Sequence, residues 1–127
     1  MIILGIDPGL ATTGYGIIKK QKNRDRRFKV LDFGCIITES TLPAGERLKK
    51  IHKETLKLID KYKPNLISVE SLFFFKNFKT AMPVSQAKGV VLLAAAQKGV
   101  PACEFTPLQV KMTVVGYGRA EKKQVQK

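Results

Sequence analysis

Five apolar residues in a row, Ile2-Ile3-Leu4-Gly5-Ile6, run without a break into Asp7-Pro8-Gly9. A strand with one wet face alternates apolar and polar positions, so an unbroken run points to a central strand buried on both faces that ends in a turn. The run leaves one carboxylate, Asp7, at the C-terminal end of that strand. In open α/β sheets this is where ligands bind.

The rest of the chain supplies the partners such a strand needs. After the small-residue loop Thr12-Thr13-Gly14, residues 15–20 predict a second strand, residues 19–29 an exposed and strongly basic hairpin tip, and residues 28–38 a third strand. Over residues 43–62 the apolar period changes to that of a helix, with Leu48, Ile51, Thr55, Leu58, Ile59 and Tyr62 on one face. Lys49, Lys50, Lys53, Lys57 and Lys61 take the other, and His52 is expected on the solvated side. Pro64 stops this helix before a fourth strand over residues 66–70. Residues 71–78, with Phe73, Phe74, Phe75 and Phe78, show no clean period and read as a loop. A closely packed helix is expected over residues 79–98, from Gly89, Val90, Leu93, Ala94 and Ala96, with Gly99 as its C-terminal cap. A fifth strand over residues 100–105 follows, then a helix opened by Thr106-Pro107, a break at Gly116-Tyr117-Gly118, and a further helix from Ala120. The order implies one domain over residues 1–127: a mixed five-stranded sheet flanked by helices on both faces, with a parallel βαβ unit around the last two strands.

Composition narrows the partners. A net charge of +13, from 23 Lys and Arg against 10 Asp and Glu, points to a polyanion, the plainer alternative being charge that only keeps the chain in solution. The longest apolar stretch, around residues 90–96, is too short to span a membrane, and no cleavable leader is visible. A soluble, cytoplasmic protein is expected. Cys35 and Cys103 lie in apolar segments and are expected as reduced, buried thiols, while a single histidine and no CxxC argue against a zinc site.

The strand Leu66-Ile67-Ser68-Val69-Glu70 repeats the grammar of the first. If the two are parallel neighbours, about 5 Å apart across the sheet, Asp7 and Glu70 converge. Two such carboxylates repel unless one is protonated or a cation sits between them. Oxygen ligands alone select a hard cation, Mg²⁺ or Mn²⁺. Taken singly, Asp7 also reads as an Asx-turn cap before Pro8-Gly9, and Glu70 as a helix-starting or salt-bridged acid. Gly9, Gly14 and Gly16 permit a tight backbone path beside Asp7 with room for a phosphate, although there is no GxxxxGK[ST] loop.

At Gly5-Ile6-Asp7-Pro8-Gly9 and Thr13-Gly14-Tyr15-Gly16 the chain resembles the RuvC family of bacterial Holliday junction resolvases. Three further segments agree in order: Ser68-Val69-Glu70 with the aromatic stretch into Lys76-Asn77, Gln86-Ala87-Lys88-Gly89-Val90, and residues 109–122 from Gln109-Val110-Lys111 to Ala120-Glu121-Lys122. The resemblance implies an RNase H-like fold, a homodimer, a branch-migration helicase complex as partner, and paired nicks at four-way DNA junctions aided by Mg²⁺, with two ions in a complete active site. By the same resemblance Asp7 and Glu70 match metal ligands and catalytic carboxylates, Phe73 matches an aromatic placed against junction bases, and Lys111 and Lys122 match cations near the scissile phosphate. Lys76 joins them as a DNA contact. Lys79, Lys88, Arg119 and Lys123 stand open between phosphate contact and a solvated face. At least two of the four phenylalanines are expected in the core, with Phe74 or Phe75 at a dimer interface.

One departure from the pattern stands at the C-terminus. The family's last helix carries two more acids, and nothing after Glu121 supplies one. The chain therefore reads as C-terminally truncated. Two readings follow, a metal-dependent junction endonuclease and a non-catalytic junction-binding fragment. An ATP-handling domain of the actin type, which also opens on a glycine-flanked aspartate, is a third and lacks the phosphate loops it would need.

Overall fold

The computed structural model describes residues 1–20, 28–71 and 78–105, with side chains in the last stretch from residue 82 onward. Five strands, β1 (Ile2–Asp7), β2 (Thr12–Lys20), β3 (Phe28–Ile37), β4 (Leu66–Glu70) and β5 (Ala102–Phe105), form one sheet of order β3-β2-β1-β4-β5. The first three make an antiparallel meander, and β4 and β5 add in parallel to β1. Helices α1 (Ala44–Tyr62) and α2 (Phe78–Gln97) are the connections.

The run that ends at Asp7 is the middle strand of the five. Leu4 and Ile6 point into the core with Ile17 and Ile36 from the meander and Ile67 and Val69 from β4. Ile51, Thr55 and Ile59 of α1 and Ala87, Val91, Ala94 and Ala95 of α2 complete it. Among the described residues both helices lie on this one face and pack against each other. The expected helices within residues 106–127 lie outside the described residues, as do the hairpin tip at 21–27 and the aromatic segment at 72–77.

Several boundaries and faces differ from expectation. Thr12, Thr13 and Gly14 are strand, not loop, paired to Ile37, Ile36 and Cys35. Phe78 opens α2 instead of closing a loop. That helix packs through Ala87, Val91, Ala94 and Ala95, whereas Gly89, Leu93 and Ala96 face outward. It is apolar nearly all round, so no polar stripe fixes its rotation in the sequence. Cys35 and Cys103 are free thiols, yet exposed, because they sit on the sheet face away from α1 and α2. His52 is half-buried at the seam between the helices, with Nε2 2.6 Å from Gln97 Oε1.

The end of α1 and the start of β4 set the register that matters most. Lys63 takes a left-handed conformation, φ 48°, its N–H bonded to Ile59 O, and Pro64 turns the chain away. Asn65 then meets Ile2 twice: its Oδ1 accepts from the Ile2 amide at 2.8 Å and its own amide donates to Ile2 O at 2.8 Å. Asp7 and Glu70 each stand five residues beyond this double bond.

Candidate active site

Ile6 pairs with Val69 in the parallel β1–β4 ladder, so the next step along each strand places Asp7 beside Glu70. Side chains alternate across a sheet. Because Ile6 and Val69 face the helices, Asp7 and Glu70 both face the opposite, open side. Gly14 pairs with Asp7, and Gly5 pairs with Gly16 one step inward. These glycines floor an open groove of about 360 Å³ whose walls include Ser68, Glu70 and Phe105. A Cβ built on Gly16 would meet nothing within 4 Å among the described residues, and one on Gly14 only the Asp7 Cβ at 3.9 Å.

Asp7 is exposed and Glu70 half-buried. Burial pushes the Glu70 carboxyl above its ordinary value, and the Asp7 charge and a hydrogen bond with Asp7 push it further. Without a cation the Glu70 carboxyl therefore gives up its proton less readily than a free glutamate does. A divalent ion would remove that repulsion, and two carboxylate oxygen donors suit a hard one. Among the described residues no third acid, histidine or cysteine gathers with them.

Of the residues singled out from the sequence, Asp7 and Glu70 are brought together. Phe73, Lys76, Lys111, Arg119 and Lys122 lie outside the described residues, and Lys79 is placed only as backbone in the first turn of α2. Lys88 is not free on a solvated face. Its Nζ sits 2.8 Å from Glu104 Oε1 and 3.3 Å from the hydroxyl of Ser71, the residue after Glu70. Ser68 and Phe105 line the groove and were not anticipated. For Ser68 the signal was its place two residues before Glu70 in an alternating strand; for Phe105 it was its place at the end of the next parallel strand, level with Glu70.

A mixed sheet of this order, with one carboxylate ending its central strand and a second ending the parallel neighbour, belongs to the RNase H-like class of folds. The comparisons then identify the family. The model for crossover junction endodeoxyribonuclease RuvC matches residues 3–127, and the chain belongs to the RuvC family. The chain is 53% identical over 126 residues to crossover junction endodeoxyribonuclease RuvC of Ruminiclostridium cellulolyticum, covering 99% of this chain and 74% of that one. It is 53% identical over 127 residues to the protein of the same name from Halothermothrix orenii, covering 100% and 75%. Among solved structures, T. thermophilus RuvC in complex with a Holliday junction substrate is similar with a TM-score of 0.83 and 31% identity, over 91% of this chain and 72% of that one.

Proposed function

We propose that the chain acts as a structure-selective endonuclease that resolves four-way DNA junctions by metal-dependent phosphodiester hydrolysis, with Asp7 and Glu70 as its catalytic carboxylates. The observation that carries this reading is their convergence on one glycine-floored groove at the end of the central strand pair. Its relatives are named as crossover junction endodeoxyribonucleases, and a structural neighbour holds a Holliday junction. Asp7 and Glu70 would hold Mg²⁺, which Mn²⁺ can replace. When bound, such a cation supplies Lewis-acid stabilisation of the charge that builds on a phosphodiester under attack by water. The glycines leave room for the sugar-phosphate backbone to lie against the sheet.

Phe73, Lys76, Lys79, Lys111, Arg119 and Lys122 are assigned to junction contact, Phe73 by stacking and the cations by charge. The unit that acts is a homodimer, the symmetry that suits paired nicks, and the exposed non-polar Met82, Gly89 and Leu93 along α2 support a partner helix there. The test is Mg²⁺-dependent nicking of a synthetic four-way junction. Asp7→Asn and Glu70→Gln should each abolish cutting and keep binding. Cutting retained in either variant overturns the assignment. Binding without cutting in the unsubstituted chain supports the junction-binding reading instead.

A further inference from the structure

Asp7 ends its strand, and in the turn that follows it, Pro8-Gly9-Leu10-Ala11, Pro8 is buried, Leu10 sits at the margin of the hydrophobic core and Ala11 is exposed. Apolar contact anchors the turn at Pro8 and Leu10, and three of its carbonyls in succession are claimed by specific donors. Thr13, fully buried, donates its hydroxyl to Gly9 O at 2.6 Å, and Thr13 Oγ1 in turn accepts from the Gly9 amide at 3.2 Å. Thr38, also buried, donates its hydroxyl to Leu10 O at 2.5 Å and its amide to Ala11 O at 3.0 Å. Behind Thr38 stands Arg47 from the first turns of α1, whose Nε donates to the Thr38 hydroxyl at 2.8 Å. A hydroxyl that accepts from a guanidinium is polarised and donates more strongly in turn. Gly9 is fixed in kind as well as in place, since a Cβ there would stand 2.4 Å from Thr12 O.

The result is a relay from a helix on the covered face of the sheet, through the strand end after β3, to the turn that leaves Asp7. Function needs this. A metal ligand must be held to within about 0.5 Å by groups that are themselves locked. An exposed carboxylate at a strand end that leads into a loosely tied turn would not meet that tolerance. We infer that Thr13 and Thr38, with Arg47 behind Thr38, are positioning residues for Asp7, locking residues 8–11 so that the carboxylate stands ready for the cation. This rests on the reading of Asp7 as a metal ligand.

The test measures Mn²⁺ binding to the 127-residue chain by titration, with junction nicking as a second readout. Thr13→Val keeps the shape and removes the hydroxyl, and should weaken Mn²⁺ binding by about 10- to 100-fold, as loss of a ligand's outer partner does. Thr13→Ser should restore it. Arg47→Met, on a partly exposed residue, should weaken binding while leaving the circular dichroism spectrum unchanged, which keeps the test open if Thr13→Val does not fold. Wild-type Mn²⁺ affinity in Arg47→Met and in any folded Thr13→Val overturns the inference. So does a Thr13→Ser chain as weak as Thr13→Val, because packing and not the hydroxyl would then be at issue. Asp7→Asn is the control: undiminished Mn²⁺ binding there overturns the reading of Asp7 itself, separately from the relay.

Discussion

Lys88 on α2 and Glu104 on β5 form a 2.8 Å ion pair, and the same ammonium reaches the Ser71 hydroxyl beside Glu70. Both side chains are partly exposed, at 27% and 46%, so the pair is worth no more than about 1 kcal/mol of stability. Its larger consequence is geometric. Lys88→Met is expected to cost less than about 1 kcal/mol in urea denaturation and to slow junction nicking by about tenfold through a displaced Glu70.

Glu70 makes the metal-free protein sensitive to pH in an unusual direction. Burial, the Asp7 charge and the hydrogen bond with Asp7 raise its pKa above the 4.5 of a free glutamate. The native state therefore holds the proton more tightly than the unfolded chain does. The contribution to stability is full below 4.5 and lost as pH rises through the higher native value. Denaturation series with a chelator present should show this decline, Asp7→Asn should shrink it, and Mn²⁺ should remove it by favouring the ionised pair. A metal-free stability that rises over the same window would contradict the coupling.

Gly9 and Gly16 should respond to alanine in opposite ways. At Gly9 the added Cβ would lie 2.4 Å from a backbone oxygen that cannot yield, so Gly9→Ala should lose about 1–3 kcal/mol of stability. At Gly16 nothing described lies within 4 Å, and alanine should be neutral or stabilising by up to about 1 kcal/mol. Nicking should nevertheless fall in Gly16→Ala, since the methyl group enters the groove beside Asp7. Thermal unfolding and nicking measured side by side separate the two effects.

Salt dependence distinguishes cations that touch DNA from those that do not. Each phosphate contact contributes about −0.9 to the slope of log K against log salt. Replacing Lys76, Lys111 or Lys122 by Gln should each reduce the steepness by about one contact's share. Lys53→Gln on the outer face of α1, across the sheet from the groove, should leave it unchanged.

Periodicity carried much of the fold. The helical stripe through Ile51, Thr55 and Ile59 was readable because it buries one repeating face, and the strands over Ile2–Asp7 and Leu66–Glu70 because each is a short apolar segment ending in a carboxylate; the first was expected buried on both faces, yet only Leu4 and Ile6, on the helix side, are buried. From two strands of like grammar the meeting of Asp7 and Glu70 could be anticipated as soon as they were taken as parallel neighbours. The strand at Thr12–Gly14 was hidden because small polar residues pair in a ladder for reasons supplied by β3 and not by their own pattern. The exposure of Cys35 and Cys103 was hidden because a sequence does not say which face of a sheet its helices cover. Polar cross-links between elements left no trace either. Arg47 to Thr38, Lys88 to Glu104 and Asn65 to Ile2 join residues on different elements with no period to announce them.

The double bond between Asn65 and Ile2 bears on which insertions and deletions the chain can tolerate. Both strands count the same number of residues from it to their carboxylates, and the side-chain period of a strand is two. Removing or adding one residue between Asn65 and Glu70 would turn the glutamate toward the helices and bring its apolar neighbour to the groove. The same change in the turn before Asn65 would be absorbed by the loop. Length variation among functional relatives should accordingly collect outside the segments from Ile2 to Asp7 and from Asn65 to Glu70, whatever their sequences do.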